Sequence, residues 1–269
     1  MHRAPGEGRN QIARFVPQFV KPYFTRALRA MGYQLVNLRR LYEFDGMHTV
    51  HTPRFQDDPR FQAAWQRGLQ AAQGVDPGTE WRIHIGLWAA SAASRLPGDF
   101  VECGVNAGVL SSAILRYLDW PNLHKRFYLV DTFAGPVVEQ FSEEEIQLGR
   151  LNIVEQSLAA GAYVTDLERI RRNYQEWDGV EIVQGPVPDV LPRVTAERVA
   201  FLHIDMNCVQ PEVAALRFFW DRLTPGGMVL LDDYAYFGYD CQGRAMDDLS
   251  RSLGAEIAVL PTGQGLIVK

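Results

Sequence analysis

From about Gly98 onward, short apolar runs alternate with amphipathic stretches, the pattern of an α/β domain built on a mainly parallel sheet. Five runs read as buried strands: Phe100 to Cys103, Phe127 to Val130, Val180 to Val183, Val199 to Ile204 and Met228 to Leu231. Helices are predicted over Ala107 to Leu118, Thr165 to Trp177 and Pro211 to Leu223, the last opened by Gln210-Pro211, a pair suited to a first helical turn. The cluster Thr224-Pro225-Gly226-Gly227 is expected to end that helix and turn the chain back into the sheet. Ala255 to Leu260 and Gly265 to Val268 then form a closing antiparallel hairpin. Between Gly135 and Gly161 the connection is too long for a simple βα link, and Ser142-Glu143-Glu144-Glu145 reads as a helix start. That segment is expected to be a helical insertion near the sheet edge that faces a ligand, with a solvated acidic face or a gating role.

The first 80 residues follow another pattern. Phe15, Phe19, Tyr23, Ala27 and Met31 recur at helical spacing, interrupted by Pro17 and Pro22. The expected division is therefore a helical N-terminal extension over residues 1–80, serving as a lid, dimer element or docking segment, and a catalytic domain over 81–269. Charge supports the division. Residues 1–40 carry a net charge of +7, so the rest must carry −12 to reach the overall −5. The basic front leaves peripheral membrane contact open, whereas the acidic body argues against nucleic-acid binding. No run approaches a transmembrane length, and the first residues carry charges and Gly where a signal peptide would have its apolar core. With 47% apolar and 22% charged residues the composition is that of a folded globular chain. Cys103, Cys208 and Cys241 lack metal-ligand spacing and are odd in number, which suits a reducing, cytoplasmic setting.

Candidate chemistry gathers at the predicted strand ends. Val101-Glu102-Cys103-Gly104-Val105-Asn106-Ala107-Gly108 joins the first strand to a helix. Its glycines permit close backbone approach to a ligand, and its carboxylate favours an ammonium or sulfonium group over a phosphate. The dinucleotide fingerprint Gly-x-Gly-x-x-Gly is absent. One unit later, Asp131 closes the next strand, where an acid accepts hydrogen bonds from ribose hydroxyls or caps a helix. Together these residues suggest a nucleoside bearing a positive group, S-adenosylmethionine. Asp205, Asp232 and Asp233 end two further strands and should converge; three neighbouring carboxylates favour a hard cation such as Mg²⁺, unless one caps a helix and another pairs with an Arg. His203 shares a strand face with Asp205 but lies deeper, as a buried, hydrogen-bonded core residue.

Taken in order, Gly98-Asp99-Phe100-Val101-Glu102-Cys103-Gly104-Val105, Val130-Asp131-Thr132-Phe133-Ala134-Gly135, His203-Ile204-Asp205, Leu223-Thr224-Pro225-Gly226-Gly227 and Asp232-Asp233-Tyr234 resemble the macrocin O-methyltransferase family. The resemblance spans roughly residues 80–250. It implies a Rossmann-like class I methyltransferase fold, α/β, with a seven-stranded mostly parallel sheet, and S-adenosylmethionine-dependent, Mg²⁺-assisted methylation of a sugar hydroxyl on a natural product or glycan. The expected cofactor residues are Glu102, Gly104, Gly108, Asp131, Thr132 and Gly185; Asp205, Asp232 and Asp233 are the expected metal ligands, with Asp205 also the base. A homo-oligomer is expected. The chain departs from the family pattern at Asn106-Ala107, where the family usually has Trp-Arg, and at Asn207 and Val209, where it usually has an acid and a Tyr. Thr262-Gly263-Gln264-Gly265 lacks the usual aromatic and basic finish. A metal-independent methyltransferase, an inactive nucleoside-binding partner protein and a metal-dependent hydrolase remain the rival readings.

Overall fold

The expected apolar runs become the strands of one large sheet in the computed structural model, which describes residues 21–33, 42–44 and 46–269. The strands are β1 (Asp99–Cys103), β2 (Phe127–Asp131), β3 (Val180–Gln184), β4 (Val199–Ile204), β5 (Leu223–Leu231), β6 (Ala258–Val259) and β7 (Gly265–Val268). Their order across the sheet is β3-β2-β1-β4-β5-β7-β6. The first five are parallel, while β7 runs antiparallel to β5 and β6 antiparallel to β7. This is the expected seven-stranded, Rossmann-like sheet with its closing hairpin. The chain order reverses between β1 and β4, and α/β sheets bind ligands at the carboxyl ends of strands beside such a reversal.

Strand alternation divides the core into two layers. Phe100, Leu129, Phe201 and Leu230 face one layer, with the helices α2 (Pro59–Ala71), α3 (Glu80–Ala93) and α4 (Val109–Tyr117). Val101, Tyr128, Leu202 and Leu231 face the other, with α8 (Val209–Phe219) and α9 (Asp240–Ser252). Phe100 anchors the first layer: its ring lies 5.3 Å from those of Trp120 and Phe201 and 5.7 Å from that of Phe127. Strands covered on both faces explain why the runs are continuously apolar rather than alternating.

Two turn signals resolve differently from their sequence reading. Helix α8 begins at Val209, so Pro211 is its third residue, still within the first turn, where amide hydrogens have no helical partner. The helix ends at Phe219 and a short 3-10 turn, Trp220–Arg222, leads directly into β5. Thr224-Pro225-Gly226-Gly227 therefore lies inside that strand and does not turn the chain. The register between β4 and β5 shifts there, and the Gly226 amide donates to the Lys269 carbonyl at 2.8 Å while Lys269 donates to Gly227 at 2.9 Å. A strand irregularity of this kind accommodates a proline, which has no amide hydrogen to offer the ladder.

The long connection after β2 forms two helices, α5 (Glu143–Gln147) and α6 (Arg150–Ala159). Ser142 and Glu145 form a reciprocal cap at the start of α5. Glu145 is fully buried, and its second oxygen accepts the Val209 amide hydrogen at 3.0 Å. The acidic run is thus not one solvated face, because its third member fastens the insertion to the start of α8.

By its internal contacts the chain divides into residues 1–43 with 48–52, and residues 44–47 with 53–269. The expected boundary at residue 80 lies inside the second unit. The reason is packing: Phe61, Ala64 and Trp65 of α2 share the core with Leu110, Ala113 and Ile114 of α4. In the first unit the described helix is α1 (Lys21–Ala30). Phe15, Pro17 and Phe19 lie outside the described residues.

Candidate functional site

A cavity of about 660 Å³, including its open mouth, lies at the carboxyl edge of the sheet. Its walls come from the ends of four strands: Gly104 follows β1, Asp131 ends β2, Gly185 follows β3 and Asp205 follows β4. Thr132, Gln140, Tyr163 and Cys208 also line it. Gly104, Asp131, Thr132, Gly185 and Asp205 are thus brought to one space; Glu102 and Gly108 are not part of its wall.

Backbone packing explains the glycines more directly than ligand approach does. A Cβ on Gly104 would lie 1.7 Å from the Asp205 carbonyl oxygen, and one on Gly108 1.9 Å from the Tyr174 hydroxyl. Both residues have positive φ, +89° and +79°, which disfavours any side chain. Gly104 lets the loops after β1 and β4 meet, and Gly108 lets α7 (Leu167–Tyr174) close on the start of α4.

Asp131 organises the loop after β1. One carboxylate oxygen accepts the amide hydrogens of Val105 and Asn106, at 2.7 and 2.9 Å, and the other accepts that of Phe133 at 2.7 Å. Thr132 lies 3.3 Å from the second oxygen, but its single hydroxyl hydrogen has a shorter acceptor, the Gly135 carbonyl at 2.6 Å. The second oxygen therefore keeps acceptor capacity, and Asp131 itself lines the cavity.

Asp205, Asp232 and Asp233 each offer an oxygen, and the three oxygens lie within 4.8 Å of one another. Their surroundings differ. Asp232 is held by Arg82 of α3 and by the Gln264 amide, which donates at 2.8 Å. Burial alone would push its carboxyl up, yet Arg82 and His203 hold it below the usual carboxylate range. Among the described residues, Asp205 receives a long side-chain contact from Asn207 at 3.5 Å, and one oxygen of Asp233 is buried without a hydrogen-bond partner. Burial, followed by the charges of neighbouring carboxylates, pushes both of these acids well above the usual range. Asp205 and Asp233 keep open oxygens beside an Asp232 already paired with Arg82, and three hard carboxylate donors this close fit a divalent cation such as Mg²⁺.

His203 is buried, as its sequence position predicts, and its Nδ1 lies 3.1 Å from Glu102. Burial works against its charged form, but Asp232 and Glu102 on either side outweigh that, raising the imidazole to about 10. Around the cluster, Tyr239 donates to Asn207 at 2.6 Å, and the Arg150 guanidinium lies 3.5 Å above the Tyr239 ring. Arg82, Gln264, Arg150 and Tyr239 are absent from the sequence reading of the site. Arg82 stands 150 positions from Asp232 on a helix whose apolar pattern alone is visible. Gln264 enters the sequence reading only within Thr262-Gly263-Gln264-Gly265, as a departure from the family pattern. Tyr239 follows Asp232-Asp233 closely enough for its proximity to be foreseen.

A family profile described as macrocin O-methyltransferase matches residues 87–253. The chain is 31% identical over 154 residues to the 8-demethyl-8-(2,3-dimethoxy-alpha-L-rhamnosyl)-tetracenomycin-C 4'-O-methyltransferase of Streptomyces olivaceus, a match covering 53% of this chain and 55% of that protein. It is 26% identical over 146 residues to the mycinamicin III 3''-O-methyltransferase of Micromonospora griseorubida, covering 52% and 56% respectively. The chain thus spans about half the length of the curated relatives it matches. Among solved structures, the O-methyltransferase NovP shares the fold with a TM-score of 0.57 at 23% identity, over 70% of this chain and 79% of that one. Because the family match takes in more than half of its residues, the chain belongs to the macrocin O-methyltransferase family.

Proposed function

We propose that the protein is an S-adenosylmethionine-dependent O-methyltransferase acting on a sugar hydroxyl of a natural product or glycan, assisted by Mg²⁺. The observation that carries this reading is the opening of one cavity onto both Asp131 and Asp205, the latter one of three clustered acids. The name of the Streptomyces olivaceus relative, a methyltransferase for a rhamnosyl-bearing product, supports the sugar class.

When bound, the sulfonium cofactor supplies an electrophilic methyl group, and the cation supplies charge that favours ionised Asp205 and lowers the pKa of a coordinated hydroxyl. The remaining work belongs to the chain. Asp131, with acceptor capacity beside Thr132, binds ribose hydroxyls. Asp205, Asp232 and Asp233 hold the cation through carboxylate oxygens. Asp205, on the cavity wall, would take the acceptor proton as the carbon–oxygen bond forms and the sulfur–methyl bond breaks, the cofactor leaving as a neutral thioether; general bases contribute about 10²- to 10⁴-fold. Tyr163 and Gln140, from the segments around α5 and α6, offer polar groups for orienting the acceptor.

Methyl transfer to rhamnose-bearing glycosides, followed as formation of the demethylated cofactor, tests the proposal. Transfer that disappears with EDTA, returns with Mg²⁺ and is absent in Asp205→Asn is the expected result. A metal-independent transfer is the second reading, favoured by the Arg82 charge already facing Asp232; activity retained in EDTA would establish it.

A further inference from the structure

Behind the acid cluster lies a buried line of ionisable groups that reaches none of the cavity wall. Glu102 on β1 and His203 on β4 are register partners, so their side chains stand side by side on one face of the sheet. They are only 2% and 3% exposed. His203 faces Glu102 through Nδ1 at 3.1 Å, while its Nε2 lies 3.8 Å from Asp232, just beyond the end of β5. Arg82 and the Gln264 amide meet Asp232 as well. Arg82 is in turn seated over the Tyr236 ring, 4.3 Å from its centre.

Such a line is costly to keep. Burying ionisable groups carries a desolvation penalty, and well-packed apolar residues in their place are often neutral or stabilising. Two positions in the middle of a parallel sheet could therefore hold a hydrophobic pair without loss of fold. The line ends on one acid of the cluster. That acid is engaged from three sides, whereas among the described residues Asp233 keeps an unpartnered oxygen and Asp205 has one long side-chain contact. Carboxylates that bind metals through one oxygen are commonly oriented by hydrogen bonds behind them, and such supports have measurable effects on metal affinity.

We propose that Glu102 and His203, together with Arg82 and Gln264, are positioning residues that fix the Asp232 carboxylate for a divalent cation. The inference rests on the metal reading above and deepens it. It also gives Glu102 a different task from the cofactor contact expected from its sequence motif. Glu102 sets the imidazole orientation through Nδ1, and the Nε2 edge then limits where Asp232 can rest. The 3.8 Å separation exceeds a good hydrogen bond by roughly 0.9 Å, leaving the carboxylate a short distance in which to settle.

Titration of the full-length protein with Mn²⁺, read by electron paramagnetic resonance, tests this without an acceptor or turnover. His203→Asn retains a polar group near the Nδ1 position but has none at Nε2; His203→Gln reaches farther, toward Nε2; Glu102→Gln keeps the shape and removes the charge. The expected result is one Mn²⁺ site in the unaltered protein, a loss of about 10- to 100-fold in affinity for His203→Asn and Glu102→Gln, and a smaller loss for His203→Gln. Circular dichroism confirms that each variant titrated is folded, and Glu102→Gln decides the matter if neither His203 variant folds. Mn²⁺ binding unchanged in Glu102→Gln and in any folded His203→Asn would overturn the positioning role while leaving the metal reading intact. An unaltered protein that binds no Mn²⁺ would overturn both.

Discussion

Replacing Gly104 by alanine tests whether the junction of β1 and β4 holds the site together. The added Cβ would lie 1.7 Å from the Asp205 carbonyl oxygen and 2.5 Å from its carbonyl carbon. A comfortable carbon–oxygen contact needs about 3.3 Å, so the two loops must separate by roughly 1.5 Å. A left-handed backbone costs an alanine about 1–2 kcal/mol, and forcing extra volume into a packed region costs about 1–3 kcal/mol more. The expected loss is therefore about 2–5 kcal/mol, which lowers the midpoint of thermal unfolding by roughly 5–20 °C for a body of this size. Gly238→Ala is the matched control, since Gly238 also has φ +89° but nothing within 4 Å of an added Cβ. It should show only the backbone part, about 1–2 kcal/mol. Differential scanning calorimetry of the two variants decides the issue. Equal midpoints would refute the reasoning, because the steric clash with Asp205 would then contribute nothing. Since the displaced atom belongs to Asp205, weaker Mn²⁺ binding should accompany the loss in Gly104→Ala and be absent in Gly238→Ala.

Three further outcomes follow from the same geometry. Arg82→Met leaves the Asp232 charge buried without its guanidinium partner, and chemical denaturation should show a loss of about 3–5 kcal/mol; a loss below about 1 kcal/mol would mean that solvent replaces the pair. Glu212 is buried, and that burial, with the Asp205 charge, raises its carboxyl to about 8 from an ordinary 4.5, so the native state keeps a proton that the unfolded chain releases across this interval. Its contribution to stability should therefore fall as pH rises from 4.5 to about 8, and Glu212→Gln should flatten that part of a denaturation profile measured without metal. Glu145→Ala removes the acceptor of the Val209 amide and half of the Ser142 cap, so the cooperative unfolding of the insertion should weaken by about 1–3 kcal/mol, read by hydrogen exchange over α5 and α6.

The sheet was legible because both of its faces are covered, which makes each central strand a continuous apolar run. Val199–Ile204 is buried along its whole length, and its ends in the structure coincide with its apolar run. Asp131 and Asp205 were readable for a related reason: a polar residue that ends an apolar run stands at the sheet edge. Positions held by tertiary contacts were not readable. Thr224-Pro225-Gly226-Gly227 carries every local mark of a turn, yet the chain end pairs with it and keeps it in the sheet. Glu102 has the sequence setting of a cofactor acid; its contact with His203, 101 positions away, is a further relation that no local pattern records. The same holds for Arg82 and Gln264, whose relation to Asp232 exists only after the helices and the final hairpin have packed.

Isothermal titration with S-adenosylhomocysteine tests the central claim most directly, since it needs neither the acceptor nor the metal. One binding site per chain is expected, with a loss of at least about 10-fold in affinity for Asp131→Ala, corresponding to about 1.4 kcal/mol or more at the ribose. Absence of binding, or binding that Asp131→Ala leaves unchanged, would contradict that claim.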